Sequence, residues 1–526
     1  MTATCENGTS GTLTKLPTRL STGFGRRFER CDAVTRVVVF GCLGMALFGY
    51  DTGIVSGAMV LVKEDITLDT DQQELVVSVT LMFCAISTVL GIPLNSLFGR
   101  KPVIMFAAVL YIAGSLLIAV ANAYEVLLAG RALLGVAIGF ASGTVPMYSA
   151  ELSPPHMRGM IVTLNDLNIV FGQLIAALVN VLFKDTASGW RYSMGLAAVP
   201  ATILLVGFMF LPESPRWLAY RALRGKSLDT DSAQRQLADA RAVLQMINHK
   251  ENVDESLEEI VAAIRSEEDV EDKDQRFMSI LRRGARKLRL IWCQKEVRRA
   301  AVLGMGLMAM NQLSGINTVM YYSTTILIKA GFSKGASIWL AAMCCLAQMV
   351  GVIISVFSMD SIGRRSTALR STAFVVVTLA LLSVSFWLPG DVWTYVKVAA
   401  LALYLVAFGS GLSGVPWVVN SEIYPLKLRS AAVGQATVFC WVANWFVGRY
   451  FLTICEWFGI GGAFAIFGGF SIVGGIWLYF TLPETMGLTL ESISELFKGP
   501  YSKVSQGAED TEDEEEDEDT EASDST

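Results

Sequence analysis

Residues 48–58 read FGYDTGIVSGA, and they set a carboxylate, Asp51, deep inside an apolar run over roughly 37–62. A helix needs about 20 apolar residues to cross the hydrocarbon of a bilayer, and this run is long enough. An acid at the centre of such a helix costs about 2.5–3.5 kcal/mol on insertion scales, so it reads as functional by default. Eleven more runs follow, at roughly 74–97, 102–122, 125–149, 160–184, 191–211, 300–329, 335–359, 367–388, 394–420, 431–453 and 459–482. The expected fold is an all-α polytopic membrane protein with twelve transmembrane helices. Many of the runs hold glycine, as closely packed membrane helices do. A β-barrel is excluded, because its strands would alternate in polarity over about 10 residues.

The chain has 526 residues, 53% hydrophobic and 17% charged; soluble domains carry about 25% charged residues. Its net charge of −6 misleads, since residues 509–521 and Asp524 supply twelve carboxylates and the remainder carries +6. Basic residues gather in the N-terminal segment (Lys15, Arg19, Arg26, Arg27, Arg30, Arg36) and after spans 2, 8 and 10 (Arg100 and Lys101, Arg364 and Arg365, Lys427 and Arg429). With twelve spans these all face one side, which the positive-inside rule makes the cytosol. The expectation is therefore a multi-pass protein of the plasma membrane with both termini cytosolic. The first ~30 residues are polar and lack the apolar core of a secretory signal. Asn7-Gly8-Thr9 fits the glycosylation pattern, but a cytosolic terminus is not glycosylated. The nine cysteines are scattered, and no structural disulfide is expected.

Three features recur along the chain. Gly99-Arg100-Lys101 follows span 2 and Gly363-Arg364-Arg365 follows span 8. Glu151 precedes Arg158 by seven residues, as Glu422 precedes Arg429. Pro212-Glu213-Ser214 follows span 6 and Pro483-Glu484-Thr485 follows span 12, with 62 residues from Glu151 to Glu213 and again from Glu422 to Glu484. This predicts two six-helix halves of like orientation, the parallel-repeat architecture that holds substrate between its halves at the midplane. The expected division is a cytosolic segment 1–36, an N-terminal bundle 37–211, a cytosolic helical insert 212–299, a C-terminal bundle 300–482 and a cytosolic tail 483–526, acidic and disordered at its end. LEEIVAAI at 257–264 reads as an amphipathic helix of the insert. Arg100, Glu151, Arg158, Glu213, Arg364, Glu422, Arg429 and Glu484 read as salt bridges that close the cytosolic gate, or as plain topogenic charge.

Three ionisable groups stand inside the spans. Asp51 is cheap when protonated and expensive when bare, and a nearby Arg131 would favour its ionised form. Movement that separates the two would promote protonation, giving a proton switch; a permanent ion pair is the alternative. Arg131 could instead snorkel to the interface. Asp166 lies seven residues before Gln173, so two helical turns place both on one face. It could accept hydrogen bonds from substrate hydroxyls, take a second proton, or bond a neighbouring helix.

Neutral polar groups come next. MNQLSGINTVMYYS in span 7 supplies Asn311, Gln312, Asn317, Tyr321 and Tyr322. Amides offer donors and acceptors together and suit an uncharged polyol, though they also bond helix to helix. Gln348 and Asn444 are further candidates. Gly409, Gly411, Gly414 and Pro416 predict a broken span 10. Trp417 follows directly, able to stack on a sugar ring or simply to pack; Trp441 is a second aromatic candidate. There is no phosphate-binding loop, metal-ligand cluster or catalytic triad, and only two histidines, His156 and His249. No enzyme activity, cofactor, metal or nucleic-acid partner is expected; protons are the coupling ion.

GYDTGIVSGA, FGRKP, GTVPMYSAELSP, PESPRWL, QLSGINTVMYYS, IGRR, PWVVNSEIYP and PETMG together resemble the sugar porter family of the major facilitator superfamily over roughly residues 35–495. Residues 72–80, 93–100, 141–155 and 416–430 look most like its proton-coupled myo-inositol transporters. The resemblance implies alternating access by two rocking bundles. It carries sugar-binding roles onto Gln173, Gln312, Asn317, Asn444 and Trp417, and proton coupling onto Asp51. Departures are Asp166, where hexose carriers usually have Gln, Asn311 for Gln, Gln348 for Asn, and Asn95 for Asp. The expected function is a monomeric proton-coupled importer of myo-inositol, against a hexose or pentose symporter or a transporter-like nutrient sensor.

Overall fold

A computed structural model describes residues 33–153, 158–223, 231–247, 253–267, 277–488, 492–493 and 496–497. The early basic cluster up to Arg30, Asn7, His156, His249 and the acidic tail lie outside the described residues, as does the side chain of Arg158. The described residues form eighteen α-helices and no strand.

The first half contains α1 (Ala33–Asp65), α2 (Thr70–Phe98), α3 (Arg100–Ala119), α4 (Tyr124–Glu151), α5 (Arg158–Phe183) and a jointed sixth crossing, α6 (Gly189–Gly195) with α7 (Ala198–Phe210). Then come α8 (Pro215–Leu223), α9 (Asp231–Ile247), α10 (Val253–Glu267) and α11 (Phe277–Cys293). The second half contains α12 (Lys295–Leu313), α13 (Ile316–Lys329), α14 (Lys334–Ile362), α15 (Arg364–Trp387), α16 (Asp391–Gly409), α17 (Val415–Glu422) and α18 (Leu426–Thr481).

Among the described residues, ten helices are long and apolar enough to cross a membrane. The α18 helix counts twice. A straight helix of its 56 residues would run about 84 Å at 1.5 Å per residue, far beyond a bilayer. Gly459, at φ 72°, turns it back and separates two spans. The seventh crossing is α12 plus α13, jointed at Gly315 with φ 87°. These bring the total to the twelve crossings read from the sequence. The seventh begins at Lys295 rather than 300, because Lys295, Glu296, Arg298 and Arg299 extend the helix without extending its apolar run. Large apolar side chains such as Phe106, Leu182, Phe357 and Val377 point outward, while Asp51, Arg131, Glu74 and the amides point in.

Close approach inside the first half depends on glycines at fourfold spacing. Gly49, Gly53 and Gly57 line the side of α1 that meets α5, and a Cβ on Gly53 would lie 2.6 Å from the Gln173 carbonyl oxygen. Two other glycines shape the basic face, the side that carries the Arg100 and Arg364 turns. Gly99 (φ 99°) joins α2 to α3, and Gly363 (φ 91°) joins α14 to α15. Each needs a left-handed backbone that a side chain disfavours. On the opposite, far face, Asp69 caps α2, accepting from Gln72 N at 2.7 Å while Gln72 Oε1 accepts from Asp69 N at 3.2 Å.

Candidate functional site

The expected ion pair forms inside the first half. Arg131 Nη1 donates to Asp51 Oδ1 at 2.5 Å, and the two residues are only 2% and 5% exposed. Arg131 therefore does not snorkel to an interface. Its Nε donates to the Val76 carbonyl at 3.2 Å, and its own carbonyl accepts from Thr80 at 3.0 Å, so α1, α2 and α4 meet at one guanidinium. Tyr111 OH donates to the Leu47 carbonyl at 2.9 Å one turn away, further fixing α1. Removing one partner of such a buried pair costs about 3–5 kcal/mol, so separating the two would call for a proton on Asp51 or water around it.

The neutral candidates other than Gln173 collect in the second half. Gln312 Nε2 donates to Asn311 Oδ1 at 2.7 Å and reaches Cys440 Sγ at 3.1 Å. Asn317 Nδ2 donates to Gln312 Oε1 at 2.5 Å, and Asn444 Nδ2 donates to Tyr321 OH at 3.2 Å. Asn311 Nδ2 donates to the Leu412 carbonyl at 2.6 Å, tying the joint of the seventh crossing to the joint of the tenth. That second joint is the turn Ser410–Gly414 between α16 and α17. Trp417, half-buried, packs on Met305, Met308, Ala436 and Cys440. Phe48 of α1 meets Trp441 of α18 edge-on at 5.4 Å between ring centres, bringing the halves together. Gln173 Oε1, Gln348 Oε1, Gln435 Oε1 and Trp441 Nε1 are buried without a hydrogen-bond partner. Buried polar atoms are normally satisfied, so these are places where a ligand rich in hydroxyls has something to bond. Gln435 was not singled out in the sequence, since one amide in an apolar run carries no pattern.

Asp166 does not pair with Gln173. Ser413, in the joint of the tenth crossing, donates to its Oδ2 at 2.8 Å and Oδ1 at 3.1 Å. This bond links the two halves.

The basic face repeats contact for contact. Arg100 Nη2 holds Glu151 at 2.8 Å, and Arg364 Nη2 holds Glu422 at 3.5 Å. Ser214 Oγ and Thr485 Oγ1 donate to the same two acids at 2.5 and 2.7 Å. Glu213 accepts from Arg100 N at 3.1 Å, and Glu484 from Arg364 N at 2.8 Å, so each acid caps the start of the helix that follows a glycine turn. Burial pushes the Glu213 carboxyl above its ordinary value, while the N–H groups of Ser214 and Arg100 pull it back. Arg429 donates to the Tyr424 carbonyl at 3.2 and 3.1 Å. All of these contacts stay within one half.

The contacts that cross between halves concentrate on the far face. Ser56 Oγ lies 2.7 Å from Ser323 Oγ and 2.9 Å from Thr324 Oγ1. Lys334 holds Glu64 at 2.6 Å. Arg449 pairs with Asp71, and with Glu74 at 3.0 Å. Glu74, with no exposed surface, also accepts from Thr453 N at 2.9 Å and Thr453 Oγ1 at 2.7 Å. The far face is thus closed by hydrogen bonds and ion pairs, whereas the basic-face contacts named above each lie within one half. Sequence reasoning missed this set because each member looks like an ordinary polar residue at a helix end.

Two bundles of like topology, charges turned inward and unpartnered polar atoms between them define a membrane transporter rather than an enzyme. Residues 37–497 match the family described as Sugar (and other) transporter. The chain is 35% identical to the proton myo-inositol cotransporter of Homo sapiens, over 90% of this chain and 83% of that one. It is 31% identical to myo-inositol transporter 2 of Schizosaccharomyces pombe, over 88% of this chain and 81% of that one. Among solved structures, the proton:xylose symporter XylE bound to 6-bromo-6-deoxy-D-glucose superposes with a TM-score of 0.72 at 25% identity, covering 88% of this chain and 99% of that one. The chain belongs to the sugar transporter family, with the major facilitator fold.

Proposed function

We propose that this carrier is a proton-coupled symporter that imports myo-inositol across the plasma membrane, its basic face and termini in the cytosol. Asp51 is the proton site and Arg131 its counter-ion. The protein in this conformation is closed to the outside and holds its cytosolic acids within each half. The observation that carries the reading is the buried Asp51–Arg131 pair at 2.5 Å, whose acid lies on the helix that also bears the crossing residue Ser56. Similarity to a proton myo-inositol cotransporter supports the substrate. Gln173, Gln312, Asn317, Tyr321, Gln348, Trp417 and Asn444 would line the polyol.

In proteoliposomes, myo-inositol should drive protons into the lumen. Asp51→Asn should abolish uphill accumulation while keeping exchange of labelled for unlabelled solute. Gradient-driven accumulation by that variant would remove Asp51 from the mechanism. A second reading, a pentose or hexose symporter, is favoured by the likeness to a proton:xylose symporter. It prevails if xylose or glucose displaces labelled inositol better than inositol itself does.

A further inference from the structure

Asp51 and Glu74, the carboxylates most deeply buried among the described residues, each hold an arginine. Asp166 holds no cation: no Lys, Arg or His among the described residues lies in ion-pair range of it. Yet it sits about a third of the way along the 26 residues of α5, and its contact with Ser413 of the other half turns it toward the partner bundle rather than toward lipid. An ionised carboxylate has room for about four hydrogen bonds, and a lone hydroxyl at 2.8 and 3.1 Å serves both of its oxygens. Two turns along the same helix, about 10 Å away, Gln173 Oε1 is also unpartnered, as is Gln348 Oε1. Asp166, when ionised, thus brings a negative charge with no cation in ion-pair range among the described residues, and Gln173 and Gln348 add unpartnered acceptors. A neutral hydroxyl would supply one donor there. A primary ammonium supplies three donors and the missing charge.

We propose that this carrier also takes polyols bearing a protonated amine, amino sugars or aminocyclitols, with the Asp166 carboxylate as counter-charge to the ammonium. Gln173 and Gln348 bond the hydroxyls of the same ring. This rests on the reading of the chain as a polyol carrier, and it adds a cationic class of substrate to the neutral one.

The test uses the full chain in proteoliposomes at a pH that keeps the amines protonated. Two matched pairs are compared, 1-amino-1-deoxy-scyllo-inositol with scyllo-inositol and D-glucosamine with D-glucose, by uptake and by competition for binding. In the transported pair the amine should have the higher kcat/KM. Asp166→Asn should lower the ratio of amine to neutral solute about tenfold, and Asp166→Glu should restore it. A wild-type ratio of one or less overturns the proposal, since it means the carboxyl is neutralised by a proton. So does a ratio unchanged in Asp166→Asn. Should Asp166→Asn bind neither member, Asp166→Glu decides: amine preference there sustains the proposal and its absence overturns it. The neutral members report separately on the polyol reading. Transport of the neutral member alone overturns only the amine proposal, and transport of neither overturns both.

Discussion

Replacing Arg449 with leucine leaves Glu74 as a carboxylate with no solvent contact and no cation. In the closed far face Glu74 accepts from Arg449 Nη1 at 3.0 Å and from two groups of Thr453. Losing one partner of a buried pair costs about 3–5 kcal/mol. Arg449 is itself 18% exposed and the two Thr453 bonds remain, so the lower figure for a charge-assisted bond, about 2 kcal/mol, is the better measure. If opening the far face draws α18 away from α2 and hydrates Glu74, this penalty falls on the closed state alone. About 2 kcal/mol changes a two-state ratio by about 30-fold. Hydrogen exchange in lipid nanodiscs reads that ratio, because amides at 68–76 and 448–456 are sheltered only while the face is shut. Their protection should fall about 30-fold in Arg449→Leu, and Arg449→Lys should recover part of it. Asp71→Ala is the internal control. Asp71 is 70% exposed, so its pair with Arg449 contributes about 0–1 kcal/mol and its loss should barely register. Unchanged protection in Arg449→Leu, or an equal effect from Asp71→Ala, would refute the reasoning.

The other predictions concern packing and caps. Gly53→Ala drives a methyl into the Gln173 backbone and should cost about 1–3 kcal/mol, seen as a lower melting temperature in detergent together with loss of uptake; an unshifted melting curve would deny the backbone-to-backbone packing of α1 on α5. Glu484→Ala removes the acceptor for the N–H groups of Arg364 and Arg365 at the start of α15 and should destabilise by about 1 kcal/mol, read in the same assay, with Glu484→Gln intermediate.

The fold was legible because apolar runs of membrane length and a repeated set of charged turns are one-dimensional signals. The spacing of 62 residues between matched acids survives folding as matched contacts, Glu151 and Glu422 on arginines, Glu213 and Glu484 on helix starts. Of the two joints, the one at 410–414 was legible from its glycines, while the one at Gly315 was not, because residues 300–329 read as a single span. The far-face latch was not legible at all. Arg449 and Glu74 are 375 residues apart, and no local pattern tells which helix end will meet which. The bond from Asp166 to Ser413 escaped for the same reason.

The two halves share the chemistry of their basic face but not of their interior. Charge sits in the first, as Asp51, Arg131 and Asp166; the second offers neutral amides, Asn311, Gln312, Asn317 and Asn444. On the proposed mechanism, the proton acts on the first half, while the polyol bonds amides of the second half together with Gln173 of the first. A proton on Asp51 can favour one orientation of the halves only through contacts that leave the first bundle. The α1 helix provides them, since Ser56 lies five residues beyond Asp51, about 7.5 Å along the axis. Ser56 bonds Ser323 and Thr324 of the partner bundle at 2.7 and 2.9 Å. Glycines at 49, 53 and 57 bring α1 close against α5, where Asn180 also donates to the Ile54 carbonyl at 2.9 Å. Coupling then requires that α1 move as a unit when Arg131 releases Asp51. Ser56→Ala, which keeps the proton site and removes the crossing bonds, should raise uncoupled proton leak relative to solute uptake. An unchanged ratio of protons to solute would place the coupling path elsewhere.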